Sequence, residues 1–152
     1  MREILFRGEW TETGDWVKGF YVRLYDEKDN ESHRIYPGYA ETDCGNYYPD
    51  WYEVDPNTVG QFTGLTDKNG KKIFDGDILA IARKMDGMGT YYVPSLACPV
   101  NVEVKWDFCG WMWETLCPDK RYLHFPESWC HFECEVIGNI HDNPELLEGK
   151  NV

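Results

Sequence analysis

A chain of 152 residues, 42% of them hydrophobic, can bury a core without metals or disulfides, as one domain or as two small lobes. Its 27 acidic and 15 basic residues leave a formal net charge of −12, which repels phosphate backbones and disfavours direct nucleic-acid binding unless the few cations cluster. No apolar run approaches transmembrane length, and Met1-Arg2-Glu3 leads into Ile4 with no signal-peptide pattern, so the expected setting is cytoplasmic with no membrane partner. In that setting the six cysteines are expected as thiols or metal ligands, not bridges.

Ile4 to Arg7 reads as a short β run, and Thr13-Gly14-Asp15 as a turn. Trp16 to Leu24 is the next strand, with Phe20, Val22 and Leu24 on one face and Tyr21, Arg23 and Tyr25 on the other. Asp26 to Glu31 is a charged, solvated loop; it has no glycine at the place a calcium loop needs one. His33 to Ala40 reads as a strand interrupted at Pro37-Gly38, and Trp51 to Val54 as another, ended by Asp55-Pro56-Asn57. A lobe boundary is expected there, giving an N-terminal β portion over 1–56 and a barrel-like β domain over 57–152.

Thr58 to Thr63 reads as a strand and Lys72 to Phe74 as its return, through Asp67-Lys68-Asn69-Gly70, where Asn-Gly supplies the positive φ of a tight turn. Asp75-Gly76-Asp77 turns again, and Ile78 to Ala82 is apolar on both faces, as a covered central strand is. Arg83 to Pro99 is a long connection. Val100 to Trp106 alternates cleanly, with Val100, Val102, Val104 and Trp106 on one side. Short strands at Trp111 to Glu114 and Arg121 to Phe125 precede a last strand, Phe132 to Asn139. Asn143-Pro144-Glu145 then reads as the capped start of a short tail helix, stopped at Gly149. The fold expected is mainly β: a small N-terminal β portion, then a barrel-like meander with one tail helix.

Two separated stretches carry a family pattern. Gly60-Gln61-Phe62-Thr63-Gly64-Leu65, Asp67-Lys68-Asn69-Gly70, Ile73 and Gly76-Asp77-Ile78 form the first. Glu135 to Ile140 with Asn143 to Leu147 form the second, and Arg2 to Gly8 matches the opening. The chain resembles the YopX family of phage and prophage proteins. The resemblance implies a small, mostly β cytoplasmic protein of a phage or prophage, and it implies no activity and no catalytic residues. The aromatic, cysteine-rich segment Trp106 to Cys134 departs from that pattern.

Chemistry has one obvious place to sit. Cys109, Cys117, Cys130 and Cys134 fall close to His124 and His131. Zinc sites use closely spaced cysteine pairs, and only Cys130 and Cys134 approach that. On an extended strand those two would lie about 13 Å apart, too far to share a metal. Cys130 and His131 are neighbours, so on a strand they face opposite ways and make a poor nucleophile pair. Buried thiols are the expectation, with no metal, cofactor or catalytic residue assigned. Aromatics make up 16% of the chain, an excess that serves cores and interfaces alike. Together these features point to a non-enzymatic binding or assembly module acting on a protein partner or on a second copy of itself. An acidic mimic of nucleic acid aimed at a host protein, and an enzyme or metal site within 106–134, are the alternatives.

Overall fold

Short β-branched and aromatic runs, each cut by Gly, Pro, Asn or Asp, give a chain of strands joined by tight turns. In the computed structural model the residues described are 3–37, 50–83, 100–107, 110–114, 123–124 and 132–148. The chain divides into two units, Met1–Gly64 and Leu65–Val152. Among the described residues the only helical pieces are short 3-10 turns, and no helix is long and apolar enough to cross a membrane. The mainly β expectation holds.

The first unit holds β1 (Phe6–Glu9), β2 (Trp16–Tyr25), β3 (Glu31–Tyr36), β4 (Tyr52–Glu53) and the start of β5 (Gly60–Thr66). They lie in the order β4-β3-β2-β1-β5, each pair antiparallel. The charged loop after β2 is a structured turn. Asp26 Oδ1 accepts the Lys28 and Asn30 amides, and Asp29 takes a left-handed backbone, at φ 61°. β3 stops at Tyr36, ahead of Pro37, so no strand runs on through the proline among the described residues. The strand expected from Thr58 starts at Gly60, because Pro56–Thr58 winds into a 3-10 turn capped by Asp55, whose carboxylate accepts the Asn57 amide. Ile35 and Val54 are the buried apolar centre, at 0% and 2% exposure.

The second unit contains β6 (Lys72–Phe74), β7 (Asp77–Arg83), β8 (Val100–Asp107), β9 (Gly110–Glu114), β10 (Leu123–His124) and β11 (Phe132–Asn139). Five of them form an antiparallel sheet in the order β10-β9-β8-β7-β11. β7 to β10 are the expected meander, and β11 returns to the other side of β7. Ile78, Leu79 and Ile81 are fully buried, as the two-sided apolar run predicts. Leu79 and Ile81 pack with Ile73, Val102, Val104, Trp111, Cys134 and Val136.

Two expectations need correction. The sheet is open among the described residues, not closed into a barrel, and it ends at β10 and β11. The hairpin at Asp67 takes the expected positive φ at Gly70 alone, at 80°, and the Gly70 amide donates to Asp67 O while the Asp67 amide donates to Lys71 O. This is a three-residue loop with a left-handed glycine at its end. The tail is a single 3-10 turn, Pro144–Leu146, and the Asn143 side chain does not cap it. Asn139 instead caps the turn before it, its side-chain oxygen accepting the His141 and Asp142 amides. Trp106 also differs from its valine neighbours. It is 54% exposed and meets its register partner Trp111 edge-on, ring centroids 5.1 Å apart, so it covers the margin of the core instead of entering it.

Candidate interaction surface

Alternation along β2, with the register to its neighbours, sorts the side chains of the first unit onto two faces. On one, Phe20, Val22 and Leu24 stand opposite Tyr36, Arg34 and Ser32 of β3. Phe20 is 59% exposed, and Val22, Leu24 and Tyr36 are half-buried. The Arg34 guanidinium carbon lies 3.8 Å from the ring centroid of Trp51, itself 36% exposed. Nearer β1 the same face carries a second such stack, Arg7 over Trp16 at 4.9 Å. Burying an exposed Phe ring is worth roughly 1.5–3 kcal/mol, and arginine stacked on tryptophan adds roughly 0.5–2 kcal/mol. Aromatic and arginine side chains so placed are the composition that anchors protein interfaces.

The opposite face runs from apolar to polar. At its apolar end Trp10 and Tyr52 meet edge-on, centroids 5.0 Å apart, near buried Ile35 and Val54. Phe6 packs on Tyr21 at 5.5 Å, and Tyr21 stacks on His33 at 5.9 Å. The Tyr21 hydroxyl is hydrogen-bonded to His33 Nδ1, and His33 Nε2 lies 2.9 Å from Glu31 Oε1. Glu31 also pairs with Arg23, whose guanidinium sits over the Tyr25 ring at 5.2 Å. Burial pushes the Tyr21 phenol above its ordinary value, and the neighbouring Arg23 charge offsets only part of that. Glu31 raises the already high value of Arg23 by accepting its hydrogen bond.

In the second unit Asp67 is a buried carboxylate, 6% exposed. It accepts the amides of Asn69 and Lys71 in its own turn and that of Val136 on β11, at 2.8, 2.9 and 3.0 Å. The Lys68 amide donates to Cys134 O. The turn thus occupies backbone groups on the outer edge of β11, which would otherwise be open to another strand. Burial raises the Asp67 carboxyl, but the three amide donors outweigh it, so its pKa sits below the ordinary value.

The cysteine–histidine segment gives little to compare. Cys109, Cys117, Cys130 and His131 lie outside the described residues, as does the connection 84–99. The backbone of His124 pairs with Met112 at the sheet edge. Cys134 is 4% exposed inside the second unit's core, as a buried thiol would be. Among the described residues no group of three or more His, Cys, Asp or Glu is arranged to hold a metal ion. The Tyr21–His33–Glu31 chain was not singled out from sequence. Its signal was there in the two-residue spacing of Glu31 and His33 on β3, but the pairing of Arg23 with His33 depends on the length of the 26–30 turn.

Comparison with known proteins places this architecture. The family model described as YopX protein matches residues 5–148. A crystal structure of protein EF1440 from Enterococcus faecalis is 28% identical, with a TM-score of 0.52, covering 97% of this chain and 99% of that one. The crystal structure of protein yopX from Bacillus subtilis is 17% identical, with a TM-score of 0.49 and 98% coverage of each chain. No curated protein matches. The family model spans nearly the whole chain, both sequence stretches that carried the resemblance lie inside it, and the chain belongs to the YopX family.

Proposed function

We propose that the chain is a binding or assembly module of a phage or prophage, acting in the host cytoplasm, and that its partner seats on the β2–β3 face. The observation that carries this is the exposed Phe20 beside Tyr36, with Arg34 stacked on Trp51. Exposed rings next to a stacked guanidinium, on strands held in register by their neighbours, form a pre-organised surface that loses little side-chain freedom on binding. The family resemblance supports the phage setting. The net charge of −12 favours a protein partner over nucleic acid. A second copy of this chain is the first partner to test.

Sedimentation velocity across a wide concentration range, together with affinity capture from lysate of the bacterium that carries the gene, tests the reading. Phe20→Ser and Trp51→Ala, singly and together, should weaken whichever association is found by about 1–3 kcal/mol per anchor lost. Unchanged association in the double variant, with the fold intact by circular dichroism, would overturn it.

A further inference from the structure

The polar chain on the opposite face has the arrangement of an activated nucleophile. A hydroxyl is activated when a base lies within hydrogen-bond reach and a third group orients that base. Here the Tyr21 hydroxyl meets His33 Nδ1, and His33 Nε2 meets Glu31. A carboxylate can only accept, so Glu31 fixes the proton of neutral His33 on Nε2 and leaves Nδ1 to accept from Tyr21. Arg23 holds Glu31 and is the register partner of His33, while its side chain stays 54% exposed. Phe6 packs on the Tyr21 ring, with centroids 5.5 Å apart.

We infer that Tyr21 is a base-activated nucleophile that takes a phosphoryl group from an activated, oxygen-rich donor, with His33 as base, Glu31 as its orienting group and Arg23 facing the phosphoryl oxygens. The Oη–phosphorus bond forms as the bond from phosphorus to the leaving group breaks. The leaving group departs with that electron pair, and the Oη proton passes to His33 Nδ1. A phenol is already protonated at neutral pH, and burial pushes Tyr21 higher still, so attack depends on His33 taking the proton, not on a standing phenolate. The titratable and charged groups facing His33 are Glu31 on its own strand, Tyr21, Arg23 and Tyr25 on β2, and Tyr52 on β4. The inference stands apart from the interaction reading, since it uses the other face of the sheet and either can fail alone.

Diisopropyl fluorophosphate is a suitable probe, with fluoride as leaving group and the site of the adduct read by peptide mass mapping. Tyr25 is the internal control, being 58% exposed and more accessible than half-buried Tyr21. Tyr21 should be labelled about tenfold or more faster than Tyr25. His33→Gln should cut labelling of Tyr21 about tenfold or more and leave Tyr25 unchanged. If Tyr25 reacts as fast as Tyr21 in the unaltered chain, or if His33→Gln leaves the Tyr21 rate unchanged, the inference fails. The comparison within the unaltered chain decides the matter even if the variant misfolds.

Discussion

Asp67 concentrates hydrogen bonding in the second unit's hairpin, and its consequences can be worked out residue by residue. Three amides converge on one buried carboxylate, two from its turn and one from β11. Asp67→Asn keeps the shape but offers one accepting oxygen, so at least one amide is left unpaired. The expected loss is about 1–3 kcal/mol by urea unfolding. Lys68→Ala, one residue on, should cost much less than Asp67→Asn, because the Lys68–Glu135 pair is exposed on both sides. The pH dependence follows from the sign of the Asp67 shift. Its folded pKa is depressed, so its contribution is fully present above the unfolded value, about 3.9, and is lost as pH falls through the folded value. The stability gap between the unaltered chain and Asp67→Asn should therefore narrow in acid. A gap that stays constant down to the acid transition would mean that the carboxylate charge plays no part.

Elements were legible to the extent that their signal is local. The return strand Lys72–Phe74, the buried run of β7 and the bounds of β11 could be read because apolar periodicity and turn residues mark them within a few positions. The open edge of the sheet could not, because its cover comes from a turn far away in sequence, where the Asp67 carboxylate accepts the Val136 amide. The tail shows the same limit. Asn143-Pro144 reads as a cap and first helical position, yet the Asn143 side chain is turned towards Gly138, where an added Cβ would come within 2.6 Å of its Oδ1. Gly138 also ends the irregularity at Ile137, where β11 shifts register against β7. Gly138→Ala should displace the tail and lower the melting temperature. Gly70→Ala meets no neighbour within 4 Å and strains only its positive φ, so it should cost about 1 kcal/mol and leave the tail in place. Amide exchange at residues 143–147 checks the difference: faster exchange in Gly70→Ala than in Gly138→Ala would contradict it.

At the scale of the whole molecule, an acidic chain presents an aromatic face set with cations. Both faces of the first sheet were readable as an alternation along Trp16 to Tyr25. Which face would be left exposed was not, because that depends on how Ile35, Val54 and Tyr52 gather on one side. The stack of Arg34 on Trp51 was equally hidden, since Trp51 lies outside any strand and reaches Arg34 only through the β3–β4 register. The most direct test of the surface is hydroxyl-radical footprinting of the chain alone and in the complex recovered from its host. Phe20 and Trp51 should be protected in the complex, while Ile4 and Tyr25, 60% and 58% exposed, should react as before. Full reactivity of Phe20 and Trp51 in that complex would contradict the assignment of the β2–β3 face.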